Sequence, residues 1–146
     1  KILNYIVGPF SQQHDVDIIS EKEISMFNNN SYNTINKKEV LTYSEIVIYD
    51  FETNKFSKKF EESMIENKFI SKSQGVSDFL IDGSLMVEEQ NHGRILFFDA
   101  SGNLEWEYVN KANNGNVYLL SWSRIINDQK VIKNFKDKVK NKKCKK

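Results

Sequence analysis

The most chemically loaded run in the chain is Gln12-Gln13-His14-Asp15-Val16-Asp17, which sets an imidazole among amides and carboxylates. Imidazole titrates near neutral pH and can act as base, acid or nucleophile. The competing reading is a packed histidine bonded to a neighbouring backbone group. Gln90-Asn91-His92-Gly93-Arg94 is the second such run. There His92 and Arg94 could meet an anion, since Arg offers a planar fork of donors, or could sit in a solvated turn. In Trp122-Ser123-Arg124 the Trp reads as a core residue, and Arg124 as a partner for a carboxylate. Glu88-Glu89 and Glu105/Glu107 are carboxylate pairs, and strand alternation puts Glu105 and Glu107 on one solvated face.

Several chemistries are excluded. The sequence has no G-x-x-x-x-G-K-S/T, no G-x-G-x-x-G and no G-x-S-x-G, so phosphate loops and a serine-hydrolase elbow are absent. The single cysteine, Cys144, rules out an internal disulfide framework and a multi-cysteine metal site. Two histidines, His14 and His92, rule out a histidine-rich metal centre supplied by this chain alone. No metal and no cofactor is therefore expected. Asn29-Asn30-Ser31 spells a glycosylation sequon, of the kind an Asn-rich chain produces by chance.

Short strands and turns must position these groups. His14 to Ser20 alternates weakly, and Glu21-Lys22 turns into Glu23 to Phe27. After an Asn-rich loop, Glu45-Ile46-Val47-Ile48-Tyr49-Asp50 is β-branched and aromatic, hence strand-like. Thr53-Asn54 turns into Lys55 to Phe60. Val76 to Ile81 is the next strand, Asp82-Gly83 a hairpin signal, and Ser84 to Val87 the return. Arg94 to Asp99, a turn over Ala100 to Asn103, and the alternating Leu104 to Val109 complete the set.

Laid side by side, these halves form an internal repeat. Asp17-Ile18-Ile19 aligns with Asp78-Phe79-Leu80, and Glu45 to Asp50 aligns with Arg94 to Asp99. Four strands per unit of roughly 40–50 residues is the arithmetic of a propeller blade. A two-sheet sandwich is the structural competitor. The expected fold is thus all-β: a β-propeller of which two blades and a partial blade are present. Asn116 to Ile126 is expected to supply the partial blade, and Ile2 to Val7 the edge of a preceding one. Residues 1–127 would form this domain and 128–146 a basic tail, with a short amphipathic helix over Gln129 to Val139.

The chain of 146 residues is 39% hydrophobic and 28% charged, enough apolar content for one cored domain. Its net charge of +1 hides a split, because the tail from Asp128 carries nine Lys against two Asp. That tail is either a solvated terminus or a contact for an anionic partner. No stretch approaches 18 apolar residues, so no membrane span is expected. The chain opens on Lys1 inside an apolar pattern, from which a fragment or a processed product is expected.

Gln13-His14-Asp15-Val16, with Ile24-Ser25-Met26-Phe27-Asn28-Asn29 about ten residues on, resembles the Q-H-D…I-x-x-F-D-N pattern of bacterial arylsulfotransferases. Gly93 to Tyr108 is similar to that family's G-R-x-x-x-x-D-x-x-G-x-x-x-W-E-Y segment. The resemblance implies a six-bladed propeller enzyme, exported to the periplasm. It would move a sulfuryl group from an aryl sulfate to a phenol without a nucleotide donor. It places His14 in the sulfate site, as nucleophile or stabilising partner, with Gln13 and Asn29 beside it. The family's Asp is Asn28 here, its Gly is Asn30, and its following Arg is missing, leaving Arg94 or Arg124, with His92, to hold sulfate oxygens. The implied partners are a small aryl sulfate and a phenol, with no nucleic acid. The alternative function is a non-catalytic propeller that serves as a binding or scaffold module, as some quinoprotein-like propellers do.

Overall fold

The computed structural model describes residues 5–31, 43–140 and 142. Most of the regular structure is β, in two four-stranded antiparallel meanders. The first holds β1 (Gln13–Ile18), β2 (Glu23–Asn28), β3 (Glu45–Asp50) and β4 (Lys55–Ser57). The second holds β5 (Val76–Phe79), β6 (Leu85–Glu89), β7 (Arg94–Phe98) and β8 (Leu104–Val109). Helix α1 (Glu61–Glu66) lies between the two sheets in sequence, and α2 (Gln129–Val139) follows them.

The pleat sorts the side chains. Along β2 and β3, Phe27 and Ile46 turn to one face, where they meet Leu85 and Val87 of β6 and Leu96 and Phe98 of β7. Phe60, Met64 and Phe69, on and around α1, complete this shared core, and each is buried. Met26, Val47 and Tyr49 turn the other way and pack with Ile6, Phe10, Ile24 and Phe56. Burying a Phe of this kind stabilises the fold, and truncating it to Ala costs about 3–5 kcal/mol.

The hairpins that end the third strands are built alike. Asp50 Oδ1 accepts from the amides of Glu52 (2.7 Å) and Thr53 (3.1 Å). Asp99 Oδ1 accepts from those of Ser101 (2.8 Å) and Asn103 (2.9 Å). Asp99 is held below the ordinary Asp value first by the Asn103 side chain, whose Nδ2 donates to Oδ2 at 2.8 Å, and then by these amides, and Asp50 is held down by the amides of Thr53 and Glu52. So the repeat read from sequence has a counterpart in two meanders with matching turns.

Four expectations need correction. Residues 116 to 126 form no strand, only an isolated bridge between Lys111 and Val117, because the amides of Trp122, Ser123 and Ile125 go to the side-chain carboxylates of Glu88 and Asp78 rather than to a backbone ladder. Strand β5 stops at Phe79 and not Ile81; Phe79 already pairs Leu85, so Asp82-Gly83 sits inside a longer loop. Lys55 to Phe60 is strand only through Ser57, after which α1 begins. Tyr5 to Val7 form no strand, and Ile2 to Asn4 lie outside the described residues, as does Cys144.

Candidate functional site

Where the first strands of the two sheets approach one another, a cavity of about 600 Å3 opens. Its walls come from three places: His14 and Asp15 on β1, Gln74 and Gly75 leading into β5, and Gln90 with Trp122 opposite. A volume of this size suits a small organic ligand.

His14 is positioned by packing and by a bulge. The register of β1 against β2 slips between His14 and Val16, and Asp15 takes a left-handed φ of 51°. Bulges of this kind re-aim side chains beside functional sites. The Asp15 carboxylate swings across to β5, accepting from the Ser77 amide at 2.6 Å and from Ser77 Oγ at 3.3 Å. The His14 ring stacks on Phe27, with centroids 5.0 Å apart and planes 15° apart. Phe27 is wholly buried, so the core holds the ring from behind. Nε2 of His14 is buried, with no hydrogen-bond partner among the described residues.

Gly75 is required by the same Phe27. A Cβ there would stand 2.3 Å from the Phe27 ring, and its φ of +154° disfavours an L side chain. Asn29 fixes the wall leading to Gly75, donating from Nδ2 to the carbonyls of Ser71 (2.7 Å) and Gln74 (3.2 Å). Asn29 is 3% exposed and lies behind the wall rather than on the cavity.

The opposite wall is a strap of chain held by carboxylates. Glu88 is fully buried, and its two oxygens accept from the amides of Trp122 (3.2 Å) and Ser123 (2.6 Å). Asp78 Oδ2 accepts from the Ile125 amide at 3.4 Å. Trp122 is pinned with a left-handed φ of 68°, a strained setting for a bulky residue. It was expected in the core, but it is 69% exposed and lines the cavity, with the Arg124 guanidinium 5.1 Å over its ring.

The remaining candidates sit elsewhere. His92 Nδ1 lies 3.0 Å from Glu89 Oε1, and Arg94 Nε donates to Glu89 Oε2 at 2.5 Å. Arg94 also reaches Glu107 Oε1 at 3.3 Å and the Asn67 carbonyl at 2.9 Å. Neither residue lines the cavity, nor do Gln13 and Arg124. Of the proposed site residues, only His14 contributes to the cavity wall. Gly75 was not singled out by sequence reading; Gln90 and Glu88 were noticed only as members of the Gln90 to Arg94 run and the Glu88-Glu89 pair, and nothing in the sequence showed that Glu88 clamps the chain at Trp122.

The electrostatics are lopsided. Among the described residues of the cavity wall Asp15 is the charged one, and no described Lys or Arg joins it. Next to it, burial and then the charges of Asp15 and Asp78 raise the pKa of Asp17, with Arg124 opposing. Among the described residues no cluster of His, Cys, Asp and Glu could hold a metal ion. No described helix is long and apolar enough to cross a membrane. The arrangement offers an aromatic-backed imidazole in the wall of a pocket wide enough for a ring, its buried Nε2 unpartnered among the described residues.

Compared with known families, residues 4–111 match the family model described as Arylsulfotransferase (ASST). No curated protein and no solved structure matches the chain.

Proposed function

The chain belongs to the arylsulfotransferase family, and on that premise we propose that it transfers a sulfuryl group from an aryl sulfate to a phenol, with His14 as the carrier. The observation behind this reading is the His14 Nε2, buried beside the cavity and unpartnered, with its ring braced on Phe27. In the first step the Nε2 lone pair attacks sulfur and the S–O bond to the aryl group breaks. The aryl oxide leaves with the bond pair and takes up a proton. In the second step the acceptor phenol oxygen attacks sulfur, the N–S bond breaks, and the imidazole is restored as the phenol gives up its proton. On the same reading the two sheets are successive blades of a propeller within residues 1–127, residues 128–146 are a basic tail, and the protein is exported.

The cavity wall favours a second reading at one point. A sulfuryl group needs cationic donors to offset its charge, and the described wall residues include an aspartate and no Lys or Arg. A propeller that binds a ring without reacting with it would look like this. The deciding measurement is sulfuryl transfer from a chromogenic aryl sulfate to phenol by the full chain, with peptide mapping for sulfuryl on His14 after an alkaline quench, because the N–S bond is cleaved by acid. Burst release of the aryl alcohol with label on His14 is the expected result. Release without label on His14 overturns its role as carrier, and a folded protein that binds phenol without any release establishes the binding module.

A further inference from the structure

Helix α2 begins cleanly, with Asp128 Oδ1 accepting from the amides of Lys130 (2.8 Å) and Val131 (3.2 Å). Yet no residue of the helix is buried. Val131 is 46% exposed and Phe135 65%. At 3.6 residues per turn, Val131, Ile132, Phe135 and Val139 fall within an arc of about 100°. Lys138 borders that arc on one side and Lys136 on the other, while Lys130, Lys133 and Lys140 occupy the far face. Asp137 is the one acidic residue within the helix.

We propose that α2 is a docking element for an anionic lipid surface, lying in the plane of the membrane with its apolar arc among the acyl chains. The sequence of charges fits that occupant and fits others less well. A nucleic acid would engage the lysines and leave the whole apolar arc in water. A protein groove would take the arc but has no use for lysines on both of its borders. A plane of anionic headgroups over hydrocarbon uses both, since the bordering lysines can lay their stems along the apolar layer and raise their ammonium groups to the phosphates. Eleven residues rise about 16 Å, too short to cross a bilayer. Docking would also steady a helix too short to be stable alone.

The test is co-sedimentation of the full chain with vesicles of phosphatidylcholine alone or mixed with phosphatidylglycerol. Binding is expected only to the mixed vesicles, weakening by about fivefold for each of Lys133→Gln and Lys136→Gln and disappearing in Phe135→Glu. Phe135→Trp should give a blue-shifted emission on the mixed vesicles. None of these side chains is buried, so circular dichroism should match the parent in each variant. Three outcomes overturn the proposal: no binding to mixed vesicles, binding that Phe135→Glu leaves intact, or a lipid-free dimer that Phe135→Glu dissolves.

Discussion

The two sheets solve one problem with different charges. Each must grip the chain as it enters the sheet, and each uses the last residue of its second strand. In the first sheet, Asn28 Oδ1 accepts from the Ser11 amide at 2.8 Å, and its Nδ2 donates to Glu45, which pairs with Lys58 Nζ at 2.7 Å. In the second, Glu89 Oε1 accepts from the Ile70 amide at 2.6 Å, and its other oxygen pairs with Arg94. Asn28 pairs Glu45 across the ladder just as Glu89 pairs Arg94, so the buried acid has changed strands between the sheets. The lesson concerns function. Arg94 and His92 are committed to holding the scaffold, whereas His14, on the first sheet's edge strand β1, stacks on Phe27 and leaves Nε2 without a hydrogen-bond partner among the described residues.

Exchanging the two histidines in that comparison should have the largest effect. His14→Ala is expected to lower sulfuryl transfer by at least about a thousandfold with the fold retained, as loss of a nucleophile does. His92→Ala, which removes an exposed partner of Glu89, should leave transfer unchanged. Steady-state rates on both variants check this, and equal losses would erase the distinction between the sheets.

Next is the cost of stripping each buried acid of its cation. Arg94→Ala takes the permanent cation from buried Glu89, which keeps only the Ile70 amide and the exposed His92, and should destabilise the protein by about 3 kcal/mol. Lys58 is partly exposed, so water can replace it, and Lys58→Ala should cost about 1–2 kcal/mol. Urea unfolding of the two variants gives the order, and a reversed order would show that Glu45 is the deeper dependency.

The smallest effect separates the sheets by pH. Burial works to lower the Lys58 pKa, but its hydrogen bond and attraction to Glu45 outweigh this and leave it raised. Tyr43, beside the same network, is pushed up to about 12, first by its hydrogen bond to Glu61. A raised pKa means stability that is complete below the unfolded value, near 10 for Tyr and 10.5 for Lys, and is lost as pH climbs through the folded one. Unfolding midpoints should therefore fall between pH 10 and about 12, and Lys58→Arg combined with Tyr43→Phe should flatten that fall. A fall of undiminished size in the double variant would move its origin away from the first sheet.

Much of this architecture was legible because β-branched and aromatic runs such as Glu45-Ile46-Val47-Ile48-Tyr49 have one good conformation, and because Asp50 and Asp99 announce their turns. Helix α1 was not legible. Six residues are too few for a period, its N-cap residue Phe60 makes no side-chain cap bond, and burial of Met64 between the sheets selects it. Residues 116 to 126 have the composition of a strand, but a strand needs a neighbour, and their amides go instead to Glu88 and Asp78. The site divides the same way. His14 was visible as a reactive type in a family pattern, while the Asp15 bulge and the exposure of Trp122 arise from contacts across 62 and 34 residues of sequence.

The cavity has one frozen wall and one free wall. Gly75 cannot grow without moving Phe27, and Phe27 supports both the core and the His14 ring, so any change there is felt by stability and chemistry together. Across the gap, Trp122 is held by its backbone amide while its side chain stands largely in solvent. Diversification of ligand preference, by natural drift or in a directed library, therefore has an open route at position 122 and a closed one at 75.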